Sequence, residues 1–299
     1  MDYKHLLRSQ KLRFWILTLF SWIPDSIMVP IQYRIKVGFW PDLKHPKRFT
    51  EKIQLYKLQY RDSLMHQCVD KFNVRKFVEG RGLGFLLNEI YGVFDSIEDI
   101  PFDTLPNQYV LKNTLGSGGQ NVIIVDDKNA CNLNHINKVA GSWLKTNNIG
   151  ALYGREWAYR DCKPRILIEK LLEDKNHGLI EYKFFCFNGI PQFLYVLSDR
   201  IMGRSVKLGI YDMEFNKMDV YRCDEEREIE LLEKPKNFEG MVEIAQNLSS
   251  VFPHVRVDLY NIEGNIYFGE LTFYDGSGYF HYDPDEFDFK VGEWFTKYN

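Results

Sequence analysis

Cysteine is sparse and unpatterned in this chain: Cys68, Cys131, Cys162, Cys186 and Cys223 stand far apart, with no CxxC spacing and no histidine cluster beside them. That spacing excludes the signatures of a disulfide framework and of a zinc site, and reads as reduced thiols in a cytosolic protein. No charge of either sign dominates, since 38 Lys and Arg face 41 Asp and Glu for a formal net charge of -3. Such a balance gives no overall pull toward nucleic acid, which is not an expected partner, or toward an anionic membrane, and leaves only local patches. Internal repeats and low-complexity segments are missing. Long apolar runs are missing too: residues 14 to 24, FWILTLFSWIP, are apolar but too short to span a bilayer before Pro24-Asp25 interrupts them. At 299 residues there is room for one large domain or two modest ones.

What is present concentrates near residues 254 to 273, HVRVDLYNIEGNIYFGELTF. Two runs of β-branched, aromatic and aliphatic residues with period-two alternation flank Glu263-Gly264-Asn265, the signal for an antiparallel hairpin. With those three residues as the loop, Ile262 faces Ile266, Val257 faces Leu271 and Val255 faces Phe273, and the face of Val255 and Val257 is apolar. The other face then sets Arg256 opposite Thr272 and Asp258 opposite Glu270. A two-residue Glu-Gly loop would bring Val257 against Glu270 and mix the faces, so the three-residue loop is the expectation. Two carboxylates directly opposed, about 4.5 to 5.5 Å apart at Cβ, repel, and a cation belongs between them. Mg²⁺ suits such a pair, because it takes one or two carboxylates and completes its shell with water and phosphate. Arg256 on the same face either neutralises the pair structurally or binds a phosphate as a bidentate fork. A solvated polar face without a ligand is the plainer alternative.

Elsewhere, residues 14 to 24 follow Lys4, Arg8, Lys11 and Arg13, and two readings stand: a helix packed on the body, or a helix resting on a membrane surface. Residues 49 to 61 have helical spacing with a start near Thr50, and Asp70 reads as the N-cap of a helix ending at Gly80 to Gly84. Tyr109 to Asn113 is a strand bearing Lys112, followed by a glycine-rich loop and a strand from Val122. That loop is no Walker A motif, but its backbone N–H groups suit a phosphate. Residues 165 to 172, 181 to 198, 209 to 215 and 217 to 222 read as strands, with Lys183 in an otherwise apolar one, either at a solvent edge or aimed at an anion. Residues 238 to 251 form an amphipathic helix, and the tail after Tyr274-Asp275-Gly276-Ser277-Gly278 is aromatic and acidic.

The order of FTEKIQLYKL, VDKFNVRKFV, LPNQYVLK, GSGG, YKFFCFNG, RVDLY and YFGELTF resembles the ATP-grasp fold, and within it the branch named for teichuronopeptide biosynthesis. The resemblance implies an α+β fold of two subdomains with antiparallel sheets enclosing a nucleotide. Residues 1–69 would be a helical extension and 70–299 the ATP-grasp domain, its flap-bearing part at about 100–168 and its metal-binding part at about 169–299. It implies ATP and Mg²⁺ as cofactors, with Lys112 and Lys183 on phosphates and Ser117, Gly118 and Gly119 as the flap. Glu169, Lys170, Leu171 and Leu172 would read the adenine, Asp258, Glu270 and Thr272 would bind metal, and Arg256 would steady the transferring phosphoryl group. It further implies a carboxylate-amine ligase acting on a uronic acid of a surface polysaccharide or lipid-linked glycan, with an amino acid or other amine, in the cytoplasm or at the inner face of the membrane through residues 1–40. Two features depart from the family pattern: Thr272 stands where Asn is usual, and the residues before 70 are not an α/β substrate unit. A glycosyltransferase, a sugar or lipid kinase and a nucleotide-binding module are the rivals.

Overall fold

The computed structural model describes residues 10–116, 121–145, 153–173, 178–198 and 207–298. The apolar N-terminal stretch is not one helix. Helix α1, Gln10–Leu19, ends before Pro24, whose extended backbone turns the chain into α2, Asp25–Val37. Gly38, at φ 97°, closes α2 in the left-handed region that glycine enters without a Cβ clash.

Helix α3, Phe49–Gln59, begins one residue before the expected Thr50, because the Glu51 carboxylate accepts the N–H groups of Lys47 and Arg48. Thr50 is used instead to hold Asp288, through its N–H and its hydroxyl. After α4, Ser63–Val69, the buried Asp70 carboxylate accepts the N–H groups of Phe72 and Asn73 and so starts α5, Val74–Gly80.

Strands β1 (Ile90–Phe94), β2 (Tyr109–Asn113), β3 (Val122–Val125) and β4 (Ile166–Glu169) form an antiparallel sheet in the order β1-β4-β2-β3. Ile136, Ala140 and Trp143 of α6, Leu133–Lys145, pack on its Tyr109, Leu111, Ile166 and Ile168. The larger sheet takes the order β11-β10-β5-β6-β7-β9, from β5 (Glu181–Phe187), β6 (Ile190–Ser198), β7 (Lys207–Tyr211), β9 (Glu226–Arg227), β10 (His254–Ile262) and β11 (Asn265–Thr272). Its pairings are antiparallel except β7 with β9. Helix α7, Phe238–Ser249, covers one face through Phe238, which meets Phe184. On the other face Phe49 of α3 meets Phe185, and Phe287 of α8, Glu286–Trp294, meets Phe193. The α+β expectation is met. Short β8 (Tyr221–Arg222) pairs with β12 (Tyr282–Asp283) in a two-stranded sheet.

Two expectations are corrected. Residues 209–222 do not form two long strands: β7 stops at Tyr211, where the Asp212 carboxylate takes the N–H groups of Glu214 and Asn216 and Phe215 adopts φ 69°. This Asx-type turn competes with the ladder. The hairpin tip also differs, since Ile262 pairs with Asn265 around a two-residue Glu263-Gly264 loop, both at positive φ. The apolar face survives because Gly269 is an extra residue in β11 that shifts the register between Asp258 and Leu259. Beyond that bulge Arg256, Val257 and Asp258 pair with Thr272, Leu271 and Glu270, the partners expected. A Cβ on Gly269 would come 2.9 Å from the Asp258 carbonyl oxygen, which explains glycine there.

Candidate functional site

The hairpin lies beside β5, which pairs Asp258 with Lys183. One row across three strands therefore reads Lys183, Asp258, Glu270. Alternation turns these side chains away from α7, together with Arg256 one row along.

Arg256 lies along the Asp258 carboxylate as a fork, Nε to Oδ1 at 2.7 Å and Nη2 to Oδ2 at 2.6 Å. Its Nη2 also donates to Thr272 Oγ1 at 3.1 Å and stands 3.5 Å from Glu270 Oε1, while its Nη1 meets Asp275. Lys183 Nζ is 2.9 Å from Asp258 Oδ2 and 3.2 Å from Glu181 Oε2. Lys71 Nζ donates to Glu270 Oε2 at 2.6 Å and to the Gly116 carbonyl at 2.7 Å. Arg222 closes the far end on Asp275 at 3.0 Å and Asp224 at 2.7 Å. Asp258 is 0% exposed.

Burial alone would discharge these groups; the neighbours decide otherwise. Burial opposes the charge on Lys183, yet Asp258, Glu181 and Glu270 outweigh it and hold its pKa above the ordinary value. Burial likewise works against the Glu270 anion, and Lys71, Lys183 and Arg256 overcome it and hold the carboxyl well below the usual range. Asp275 is lowered in the same way, against burial, by Arg222, Arg256 and Lys183. At Asp258 burial prevails and raises the pKa, offset in part by Arg256 and Lys183.

Thus the cation expected between Asp258 and Glu270 is supplied by the chain itself, from Arg256, Lys183 and Lys71. Among the described residues no three His, Cys, Asp or Glu are grouped to hold a metal ion. Mg²⁺ asks for less than that, one or two carboxylates beside water and phosphate oxygens. Glu270 fits: it is an anion, its side chain is partly exposed, and the Thr272 hydroxyl lies 3.4 Å from its Oε1. Asp258 has the right chemistry, but its Oδ2 is shared by Lys183 and Arg256, and its Oδ1 takes one bond, from Arg256 Nε.

The smaller sheet carries a second group. Lys112 on β2 is paired with Glu169 at the end of β4. The Lys170 N–H donates to the Glu89 carbonyl at 2.9 Å, and the Lys170 carbonyl accepts the Asn88 amide at 2.8 Å. Its backbone is already engaged, and Glu169 is paired on both sides, with Ile90 of β1 and Val110 of β2. Ser117, Gly118 and Gly119 lie outside the described residues. The structure thus gathers Lys183, Arg256, Asp258, Glu270 and Thr272 into one network and leaves Lys112 with Glu169 in another.

Lys71 joins the two: its N–H donates to Thr114 O at 2.9 Å, just past β2, while its ammonium holds Gly116 and Glu270. Sequence reasoning missed Lys71, Glu181, Arg222 and Asp275 as members. Only Asp275 had a local signal, the glycines of Gly276-Ser277-Gly278 after it, which with Ser277 adopt positive φ and bend the tail beside the site. Next to that bend, Lys57 Nζ donates to the carbonyls of Ser277 at 2.9 Å and Gly154 at 3.3 Å, and Ser277 bonds Glu156. Burial pushes Lys57 down to about 7, against the pull of Glu156.

The family described as TupA-like ATPgrasp matches residues 51–296. No curated protein sequence matches the chain. Among solved structures it is similar to D-alanine–D-alanine ligase from Bacillus anthracis, at 19% identity and TM-score 0.41, over 69% of this chain and 57% of that one. It is also similar to N5-carboxyaminoimidazole synthetase from Staphylococcus aureus complexed with ADP, at 10% identity and TM-score 0.41, over 75% and 50%. A third is the biotin carboxylase complex with β,γ-ATP from Campylobacter jejuni, at 15% identity and TM-score 0.39, over 76% and 46%. The chain thus spans about half the length of these proteins, and the assignment rests on the sequence match. With that match covering most of its length, an α+β chain carrying this hairpin belongs to the TupA-like ATP-grasp family and has the ATP-grasp fold.

Proposed function

We propose that the protein is an ATP- and Mg²⁺-dependent ligase that joins a carboxylate to an amine through an acyl phosphate, the carboxylate belonging to a uronic acid of a surface polysaccharide or its lipid-linked precursor. The observation that carries this reading is the charged row Lys183, Asp258, Glu270 with Arg256 beside it, in a chain of this family. Residues 70–299 are taken as the catalytic unit and 1–69 as its helical extension, working in the cytoplasm at the inner face of the membrane.

In the first step a carboxylate oxygen attacks the γ-phosphorus of ATP, the bond to the β,γ-bridging oxygen breaks, and ADP leaves. In the second the amine nitrogen attacks the acyl carbon, the bond to phosphate breaks, and the amine gives its extra proton to the departing phosphate or to water. Little covalent work falls to the protein, so positioned charge is what it contributes. Lys183 and Arg256 would answer the charge of the moving phosphoryl group, and Lys112 that of the neighbouring phosphates. Glu270, Thr272 and Asp258 would hold Mg²⁺, which neutralises phosphate charge. Ser117, Gly118 and Gly119, outside the described residues, would form the flap that keeps water from the acyl phosphate. Glu169, Lys170, Leu171 and Leu172 border the adenine.

Calorimetry with Mg-ATP, Mg-ADP and several nucleotide sugars, on wild type and on Asp258→Asn with Glu270→Gln, tests this. The expected result is adenine-nucleotide binding whose Mg²⁺ dependence is lost in the double variant, followed by release of ADP and phosphate when uronic acids and amines are supplied together. Binding of a nucleotide sugar with indifference to ATP would overturn it in favour of glycosyl transfer. ADP formed with a phosphorylated hydroxyl acceptor and no free phosphate would overturn it in favour of a kinase.

A further inference from the structure

The N-terminal helices are packed on the body by one face and bare on the other. On α1, Leu12, Trp15 and Leu19 recur at helical spacing and are exposed, as are Phe20 and Trp22 just beyond it. On α2, Ile27 and Ile35 are exposed two turns apart with half-buried Ile31 between them. Trp15, Trp22 and Trp40 are 63%, 78% and 62% exposed, and all three lie in this segment.

This face is held in place. Arg155, itself buried, donates to the carbonyls of Phe20, Ser21 and Ile23 and to the Asp25 carboxylate, all at the corner between α1 and α2. Arg160 adds a second bond to Asp25. Thr18 meets Tyr153 at 3.1 Å, and the inner face of α2 buries Met28, Val29, Tyr33 and Val37. A corner fixed by a buried guanidinium presents its apolar side outward as a built surface, not as a loose tail.

Charge identifies what covers it. Residues 1–40 hold six Lys and Arg against Asp2 and Asp25, a net charge of +4, while the chain as a whole carries -3, leaving -7 for the remainder. One of those two acids, Asp25, is already paired with Arg155 and Arg160. Exposed tryptophans on short apolar-faced helices, with basic residues at both ends of the segment, Lys4 to Arg13 at its start and Arg34 and Lys36 near its close, are the composition of an element lying in the headgroup region of an anionic bilayer. No described helix is long and apolar enough to cross a membrane. We infer that α1, α2 and Trp40 form a docking face for an anionic membrane surface, with the helices lying on the bilayer and the acidic body held away from it.

The face also bears on the site. Gln32 of α2 accepts a hydrogen bond from Tyr279 at 2.8 Å, one residue after the left-handed bend that follows Asp275. The docked surface is therefore fastened to the loop beside Arg256, and an acceptor anchored in the membrane would reach the site from that side. This last link rests on the ligase reading; the docking itself does not.

The test is sedimentation of the full-length chain with vesicles of phosphatidylcholine alone and with roughly 30% phosphatidylglycerol, read also by tryptophan emission. Expected are partition to the anionic vesicles with a blue shift, weakening in high salt, and a loss of about tenfold or more in Trp15→Ser with Trp22→Ser, a variant that alters exposed side chains only. Failure of the wild type to sediment with anionic vesicles, or equal binding by the double variant, would overturn the inference. So would concentration-dependent self-association that the double variant abolishes without any vesicle binding, which would give the face to a second copy of the chain. No activity is measured, so failure here and failure of the ligase reading are distinct.

Discussion

Two sets of buried cations sit close together in this protein and are built differently. Lys183 and Arg256 end on carboxylates, with Asp258 between them. Lys52 and Lys57, on α3, end on backbone carbonyls: Lys52 on Gly292 and Phe295, Lys57 on Gly154 and Ser277. Burial presses on both sets alike. In the first set the surrounding acids outweigh it and raise the pKa, whereas in the second burial wins and lowers it, to about 7 for Lys57. Carboxylates keep a buried charge permanent and ready for a phosphate; carbonyl dipoles let a lysine tie loops together while holding its proton weakly.

The largest effect expected from this contrast is at Asp258. Asp258→Ala leaves Lys183 and Arg256 buried without their shared partner and should cost about 3–5 kcal/mol in urea unfolding. Lys52→Met, which removes a cation from carbonyls and keeps the stem, should cost less than about 2 kcal/mol in the same measurement. Equal losses would break the comparison. Glu270→Gln should lower Mg²⁺-dependent ADP release about a hundredfold and, because Lys71, Lys183 and Arg256 lose the anion that answers them, lower the urea midpoint by less than Asp258→Ala does; an unchanged rate would remove Glu270 from the site. Gly269→Ala forces a Cβ against the Asp258 carbonyl, and a thermal melt should register a loss of about 1–3 kcal/mol with a parallel fall in activity.

For Lys57 the sign follows from proton binding. Folded, it titrates near 7; unfolded, near the ordinary 10.5, so between those values the unfolded chain binds more protons and stability rises with pH. Lys57→Met should lack that rise, and chemical denaturation at a series of pH values from 7 to 10 reads it directly. A matching slope in variant and wild type would mean the lysine is not the group responsible. The smallest effect is expected at Lys71, whose ion pair with Glu270 is partly exposed: Lys71→Ala should shift stability by less than about 1 kcal/mol and raise the KM for ATP about tenfold.

How much of this was legible depends on distance along the chain. The opposition of Asp258 and Glu270 could be read from alternation, because period two assigns every side chain of a strand to a face and an apolar core tolerates only one assignment. The tip could not, since Glu263 at positive φ and the bulge at Gly269 offset each other and the alternation is silent about both. Lys71 and Glu270 meet across 199 positions, and Arg222 meets Asp275 across 53. No local pattern marks either pair.

By itself, then, the sequence determined most of the elements and the faces at the site end of the hairpin: the amphipathic helix α7, the Asp70 cap, the strand bearing Lys112, the strand bearing Lys183, and the opposed carboxylate pair. These follow from short-range rules of spacing, steric preference and capping. Only the tertiary structure decided which cations answer those carboxylates, that Lys71 ties the smaller sheet to the larger, and that Arg155 turns an apolar corner outward. Those outcomes depend on the partners that packing brings to a buried charge, and a charge without a partner cannot remain buried.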